Sequence, residues 1–232
     1  MKKTFIKNIK REITKSISRF MAILAIVALG VGFLAGLLAT TPDMRFSVDK
    51  YYDDTNTMDI RIISTMGLTN GDLEAVKSID GVLNIMPAYS ADVLLTGTNH
   101  DSIVTKIHSI PLDNPNYQNQ IILVGGRMPE NPRECVIEHK NLLGSPITIG
   151  DKLFVSDENV DIEDKLAINQ LEVVGIVRSA QYFSIERERS TVGNGVVGLI
   201  MYAPEDSFSY EVYTDVYATV DGAVELNTFS NE

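Results

Sequence analysis

The chain has one cysteine and no tryptophan in 232 residues. A single cysteine excludes an internal disulfide, so the stability of the fold cannot come from covalent cross-links. Cys135 also lies in the middle of the chain, far beyond the apolar segment near the amino terminus. It therefore cannot be the acylated cysteine that follows the signal segment of a lipoprotein.

Motifs for covalent catalysis and for phosphate binding are also missing. The sequence has no Gly-x-Ser-x-Gly nucleophile elbow and no Gly-x4-Gly-Lys-Ser/Thr phosphate loop. His100 and His108 stand alone, without other candidate ligands or bases near them in the sequence. We therefore expect no enzymatic activity, no catalytic residue and no cofactor.

The chain has too few basic residues for a nucleic-acid-binding protein, a role that usually needs a basic surface. Its net charge is −11 and its pI is about 4.7.

The charge is unevenly distributed along the chain. Residues 1–19 hold seven basic side chains and one acidic one, a net of 7 − 1 = +6. Residues 43–232 hold 13 basic and 30 acidic ones, a net of 13 − 30 = −17. This asymmetry predicts two environments, anionic lipid near the basic end and water around the remainder.

Residues 20–38 contain no charge, and the uncharged stretch continues through Pro42. A helix of that length is roughly 28 Å long, close to the ~30 Å hydrocarbon core of a bilayer. A soluble core helix of this length would be expected to have a polar face. The sequence therefore predicts a transmembrane helix over residues 20–42.

A cleaved signal peptide is the main alternative to a retained anchor. Its apolar core is usually shorter and ends in a small-x-small cleavage site. Here Leu37 occupies the −3 position for a cut after Ala39, which leaves only a weak site at residues 39–41. We expect the segment to remain as an anchor. Because basic residues flanking a span stay inside, the amino terminus is predicted to be cytoplasmic and residues 43–232 extracytoplasmic.

The segment before the span, residues 1–19, has an apolar stripe. Phe5, Ile9, Ile13 and Ile17 recur every four residues, with lysines between them. This pattern predicts a cytoplasmic basic amphipathic helix that lies along the inner membrane surface. The alternative is a solvated basic flank that serves only to set the topology.

Within the predicted span, Gly32 and Gly36 form a Gly-x3-Gly pattern. Glycines at this spacing let a second membrane helix approach closely. Glycine is also common in membrane helices without such a contact, so the pattern leaves both readings open.

The region after the span, residues 43–232, is long enough for one large or two small domains. A capping-box pattern at residues 69–72 predicts a helix that carries Leu73 and Val76 and stops at Gly81. The remainder reads mostly as strands, which suggests a small barrel or sandwich beside an α/β piece. The predicted strands are 58–64, 82–95 with a break at Pro87, 103–110, 121–124, 134–139, 147–149, 152–155, 171–177, 197–202 and 212–220.

Two motifs in this region resemble ligand sites but lack the required context. Residues 193–198 match Gly-x-Gly-x2-Gly, yet a charged loop at 186–191 precedes them and a strand follows, so no helix amino terminus is available for phosphate. Residues 157–163 begin like a calcium loop, with Asp157, Asn159 and Asp161 at alternate positions. The sixth and twelfth positions are isoleucines instead of glycine and glutamate. We predict that residues 193–198 form a flexible loop that enters a strand and that residues 157–163 form a solvated hairpin loop.

A third set, Glu134, Cys135, Glu138 and His139, contains metal-ligating residue types. On a strand, Cys135 and His139 share one face while the two glutamates share the other. No second cluster completes a tetrahedral site. We therefore predict a buried cysteine in a sheet and no metal.

Several segments in this order resemble one family. They are Leu68-Thr69-x3-Leu73-x2-Val76-x2-Ile79-x-Gly81-Val82, Gly125-Gly126-Arg127-Met128-Pro129, Glu134-x-Val136-Ile137, Ile149-Gly150-Asp151 and Leu171-Glu172-Val173-Val174-Gly175-Ile176-Val177. With the basic start and the span, the chain resembles the first span and extracytoplasmic domain of MacB/FtsX-like ABC transporter permeases.

The resemblance implies an α+β fold, with one amino-terminal transmembrane helix and an extracytoplasmic MacB-like core domain, residues 43–232, made of an α/β lobe and a β-rich lobe. It also implies a permease subunit whose partners are the lipid bilayer, an ABC ATPase subunit and other permease spans or a second permease subunit. Because such permeases have at least three further spans, we expect this chain to be part of a longer one.

The residues alone leave two alternatives to a permease. The runner-up is a single-pass, membrane-anchored extracytoplasmic binding module. An outward-facing enzyme is the third, and the sequence offers no nucleophile and base for it.

Overall fold

The computed structural model describes residues 2–97, 102–138, 147–182 and 189–229. It divides into two units, Met1–Lys50 and Tyr51–Glu232. His100, His139 and residues 186–188 of the predicted charged loop lie outside the described residues.

The first unit is helical. Helix α1 is Lys2–Lys15 and helix α2 is Ile17–Asp54, with Ser16 between them. Helix α2 is long and apolar enough to cross a membrane, and none of its residues in that apolar window is buried. The helix does not stop at Pro42 but continues for three more turns of mostly polar residues, so the last turn belongs to the second unit. The predicted membrane boundaries at residues 20 and 42 remain predictions.

The second unit contains ten strands and one further α-helix among its described residues. The helix, α3, is Asn70–Lys77. The strands are β1 (Ile60–Leu68), β2 (Val82–Ala88), β3 (Ser90–Thr96), β4 (Ser102–Ile110), β5 (Ile121–Gly126), β6 (Glu134–Glu138), β7 (Lys152–Val155), β8 (Gln170–Ser179), β9 (Leu199–Pro204) and β10 (Tyr213–Val220).

Three strands form a small sheet in the order β1-β10-β2. Both outer strands run antiparallel to β10, so they are parallel to each other and are joined through α3. Thr69 caps α3 as predicted: its side chain accepts the N–H of Asp72, and the Asp72 carboxylate accepts the N–H of Thr69 at 2.8 Å. The helix ends at Lys77 instead of reaching Gly81, because Ser78 caps it by donating its N–H to Glu74 and Val76.

The other seven strands form a sheet in the order β5-β8-β6-β9-β4-β3-β7, and β7 pairs again with β8. Six of them therefore close into a ring. Strand β8 closes it because its first residues pair with β7 while its later residues pair with β5. The predicted barrel beside an α/β piece is present, and the predicted α+β fold class, a mixed domain with two sheets after one apolar helix, is confirmed.

Two apolar cores lie on opposite faces of the ring strands. The inner core takes side chains from all six ring strands, among them Val93, Ile107, Cys135, Leu171 and Met201. The outer core takes the alternate residues, such as Val136, Val177 and Tyr202. This alternation follows from the two-residue period of a strand.

Two predicted strand features are wrong. The chain breaks at Tyr89, not at Pro87. Pro87 stays in β2, an edge strand that tolerates proline. At Tyr89 the chain passes from the small sheet to β4, since its N–H donates to Ser109 Oγ and its carbonyl accepts the N–H of Ser109, each at 2.8 Å. Residues 147–149 form no strand, because the Thr148 N–H and hydroxyl both donate to Asp151 and Gly150 adopts φ +97°. These residues form a tight turn instead, in which the N–H of Asp151 donates to Thr148 O at 3.1 Å.

Candidate functional site

The last turn of α2 ends in a structured cap. The N–H of Asn56 donates to the carbonyl of Asp53, and the N–H of Thr57 donates to that of Tyr52, each at 3.0 Å. This pair of bonds is a Schellman motif, which needs a left-handed residue after the helix. Asn56 supplies it with φ +48°. Asparagine tolerates this conformation better than other residues with a side chain.

A second segment, residues 116–120, binds the end of α2, and we call it the junction loop. The N–H of Asn119 donates to Asn56 O and the N–H of Gln120 donates to Thr55 O, each at 2.9 Å. In return, the Asn56 amide donates to Tyr117 O at 3.2 Å, and the N–H of Met58 donates to Asn119 Oδ1 at 3.1 Å. Helix-end carbonyls that would otherwise face water are thus satisfied within the domain.

The junction loop also reaches both sheets. The Tyr117 side chain is buried in the outer core, and its hydroxyl accepts the N–H of Ile121 at the start of β5. Burial raises the pKa of Tyr117. Gln118 is 1% exposed and its amide donates to Asn84 O at 3.3 Å and to Thr219 Oγ1 at 3.4 Å, in β2 and β10. Three consecutive side chains therefore tie the end of α2, the small sheet and the outer core together.

A cleft of about 400 Å³ opens beside this junction. Its walls come from the last turn of α2, the start of β1 and the ends of β2 and β10, including Tyr52, Asn56, Asp59, Leu83 and Val220. Asp59 is already engaged, since its carboxylate accepts the N–H of Val220 at 2.8 Å. The cleft combines apolar and carboxylate groups and contains no histidine or cysteine.

The Gly125-Gly126-Arg127 motif holds β5, β6 and β8 together. A Cβ on Gly126 would lie 2.3 Å from Val174 O, and one on Gly175 would lie 2.4 Å from Arg127 O, so the backbones meet where only glycine fits. Arg127 then binds both carboxylate oxygens of Glu134, at 2.6 and 2.7 Å. This bidentate bond lowers the pKa of Glu134 to about 2. The Glu134 carboxylate therefore has a structural role.

Cys135 lies in the inner core with no exposed surface, as the strand pattern predicts. Burial raises the pKa of its thiol, which makes it unreactive at neutral pH. Glu138 lies on the opposite face of β6 from Cys135, in agreement with the predicted alternation. His139, the other member of that set, lies outside the described residues.

The two segments that resemble ligand sites have structural roles. In residues 157–163, which we call the acidic loop, the Asn159 side chain bonds to β3: its Oδ1 accepts the N–H of Leu94 at 2.7 Å and its Nδ2 donates to Leu94 O at 2.8 Å. In residues 193–198, which we call the glycine loop, Gly193 and Gly195 have positive φ, and β9 follows as a strand, as predicted. A Cβ on Gly193 would lie 2.9 Å from Val104, so this loop packs closely on the sheet.

The remaining candidates are placed as follows. His108 is buried on β4 and its Nε2 lies 2.6 Å from the Tyr182 hydroxyl, within the outer core. Gly32 and Gly36 lie on α2 with open space where a Cβ would be. Among the residues that the structure describes, no group of three His, Cys, Asp or Glu side chains converges to hold a metal.

No protein-family model and no curated protein matches the sequence. The chain is similar to the solved extracellular domain of the noncanonic ABC-type transporter YknZ from Gram-positive bacteria. The TM-score is 0.39 and the identity 14%, over 69% of this chain and 76% of that one. It is also similar to the periplasmic region of MacB from Actinobacillus actinomycetemcomitans, with a TM-score of 0.38 and 13% identity, over 69% of this chain and 67% of that one. The first neighbour is an ABC-type transporter by name, and the second bears the name of the family that the sequence motifs resemble.

Sequence reasoning missed the junction loop. The predicted strands end at residue 110 and resume at residue 121, and the sequence predicts no role for the segment between them. Two signals were available there, since Asn56 and Asn119 are both asparagines next to positions where a helix or strand ends. Asparagine at such a position is typical of left-handed backbone. The pairing of these two distant residues has no signal in the sequence.

Proposed function

We propose that this chain is the amino-terminal part of an ABC transporter permease, in which α2 crosses the membrane and the two-sheet domain stands outside the cytoplasm. The observation that carries the proposal is the junction at the end of α2. A helix long and apolar enough to span a bilayer ends in a cap that is hydrogen-bonded into the domain. A movement of α2 along or about its axis would therefore be passed to the domain.

The proposed topology follows from the charges. Seven basic residues precede residue 20, and the described part of the chain after residue 42 is strongly acidic. Basic flanks are retained in the cytoplasm, so the amino terminus lies inside and the domain outside.

We further propose which partners this chain binds. An ABC ATPase subunit would drive the movement, and further permease spans would pack against α2. Gly32 and Gly36 lie one turn apart and leave a groove for such a span. Gly30 offers a matched control, because two residues along a helix correspond to a rotation of about 200°. It therefore lies on another face.

The test is affinity purification of the tagged chain from its native membranes after cross-linking. We expect an ABC ATPase and at least one further membrane subunit or segment to co-purify. Replacing Gly32 and Gly36 with isoleucine should reduce recovery of the partner span, whereas Gly30→Ile should not. Recovery of the chain alone, in the membrane fraction, would favour the single-pass binding module instead.

A further inference from the structure

One end of the ring carries a cavity that the proposed function does not use. Strand β7 ends there while β6 and β8 begin there, because Phe154 pairs antiparallel with Gln170 and β6 runs parallel to β8. The cavity has a volume of about 520 Å³. Its walls come from residues between 155 and 169, which include the acidic loop, and from Arg133 just before β6. A volume of this size is typical of small-molecule sites.

One wall of the cavity is apolar. Ile162, Leu166 and Ile168 line it, and the same side chains pack in or against the inner core. Backbone hydrogen bonds hold this wall in place. The N–H of Leu166 donates to Ile162 O at 2.8 Å, and the N–H of Ala167 donates to Ser207 O at 3.0 Å. The shape of the cavity is therefore set by the fold before any ligand enters.

Three charged side chains also line the cavity, and they are those of Arg133, Asp157 and Glu163. Within the part of the chain that the structure describes, none of the three forms an ion pair or a side-chain hydrogen bond. Arg127 shows the contrast, because its guanidinium binds both carboxylate oxygens of Glu134. A cation and two carboxylates thus face one cavity without neutralising each other.

A ligand that satisfies all three groups must itself carry both charges. A guanidinium binds a carboxylate through two parallel N–H···O bonds. The carboxylates of Asp157 and Glu163 can only accept, so they match an ammonium group. An apolar side chain on the same ligand would leave water when it contacts Ile162 and Leu166. These requirements together describe a small zwitterion with an apolar body.

We propose that this cavity binds a free α-amino acid with an apolar side chain, such as leucine. Its carboxylate bonds to Arg133, its ammonium bonds to Asp157 and Glu163, and its side chain lies on the apolar wall. Every residue that lines the cavity belongs to the second unit. The site therefore goes beyond the proposed function and does not depend on whether α2 spans a bilayer.

The test measures leucine binding to the full chain in detergent micelles by saturation-transfer NMR, with empty micelles as the blank. We expect saturable binding with a Kd on the order of 1 mM, because exposed charges contribute little each. Leucinamide lacks the carboxylate, N-acetyl-leucine lacks the ammonium and glycine lacks the apolar side chain. Each should bind roughly tenfold more weakly than leucine, since each loses one of the three contacts.

Charge variants assign the two polar contacts. Arg133→Gln should weaken leucine roughly tenfold and leave leucinamide unchanged, because the lost bond is to the carboxylate. Asp157→Asn combined with Glu163→Gln should weaken leucine similarly and leave N-acetyl-leucine unchanged. The matched controls are Lys152→Gln and Glu158→Gln, which remove one charge each from neighbouring residues that do not line the cavity. Both controls should bind leucine as the wild type does.

The unchanged binding of leucinamide or N-acetyl-leucine shows that the cavity of each variant is intact. Absence of saturable leucine binding would overturn the proposal, and so would equal affinities for leucine, leucinamide and N-acetyl-leucine. Equal weakening of leucine and leucinamide by Arg133→Gln would reject the contact between the guanidinium and the carboxylate, and with it the proposed site. Equal affinities for leucine and glycine would reject the apolar wall as part of the site.

Discussion

The main-chain N–H of Asn119 donates a 2.9 Å hydrogen bond to the carbonyl of Asn56, and both residues have positive φ, +59° and +48°. Asn56 caps α2, and Asn119 lies in a loop 63 positions later in the sequence. Each asparagine also uses its side chain to bond to the other's segment. The end of α2 and the junction loop therefore hold each other in strained backbone conformations.

The first prediction concerns this pair. Asn56→Val should destabilise the domain by about 2 kcal/mol or more, because a β-branched residue at positive φ is strained and the amide bond to Tyr117 is lost. Asn56→Gly, the matched control, keeps the backbone relaxed and should cost about half as much. Thermal unfolding of the full chain in detergent measures both. Equal melting temperatures for wild type and Asn56→Val would show that the cap does not stabilise the fold.

The second prediction compares adjacent glycines. Gly126→Ala places a Cβ 2.3 Å from Val174 O at φ +79°, so β5 must separate from β8. Gly125→Ala meets nothing within 4 Å and serves as the control. We expect Gly126→Ala to destabilise the domain by about 3 kcal/mol and Gly125→Ala by less than about 1 kcal/mol. Denaturant unfolding followed by tyrosine fluorescence distinguishes them. Similar effects of the two substitutions would contradict the close approach of the β5 and β8 backbones at Gly126.

The third prediction is a pH dependence at Glu134. Its pKa lies near 2, below the ordinary value of 4.5, mainly because Arg127 binds its carboxylate. A lowered folded-state pKa gives stability that is present above the unfolded value and is lost as pH falls from about 4.5 towards about 2. Arg127→Gln should raise the pKa of Glu134 towards its ordinary value, so the variant is less stable at neutral pH and loses less additional stability as pH falls from about 4.5 towards about 2. A carboxyl NMR titration checks this, and an unchanged pKa in the variant would reject the bidentate pair.

Local chemistry in the sequence predicted the elements whose determinants are close together. The Thr69–Asp72 capping box, the apolar run of α2 and the period-2 pattern around Cys135 each involve neighbouring residues. They appear in the structure where the sequence places them, with shifts of a few residues at the strand ends.

Features that depend on distant residues could not be predicted. The ring closes through the pairing of β8 with β7, and β9 lies parallel to β4 although residues 111–198 separate them in the sequence. No local pattern encodes such partners. Tyr89 illustrates the same limit, because its ring stacks on Phe208 and Tyr210, which come from a distant segment. The junction loop was missed for this reason.

The most direct test of the account is the location of the domain relative to the membrane. Asp157 lies in the exposed acidic loop, so Asp157→Cys provides a reactive thiol on the surface. Buried Cys135 should react only after denaturation, so the wild-type chain is the control for labelling of the folded state. Asn8→Cys in α1 is the control for the cytoplasmic side.

On intact cells, or on spheroplasts if an outer membrane intervenes, a membrane-impermeant maleimide should label Asp157→Cys and not Asn8→Cys. The labelled chain should keep its full mass and stay in the membrane fraction after a carbonate wash. This result is expected if α2 is a retained span with its amino terminus inside. Labelling of Asp157→Cys only after lysis, or recovery of a shortened soluble product, would contradict the account.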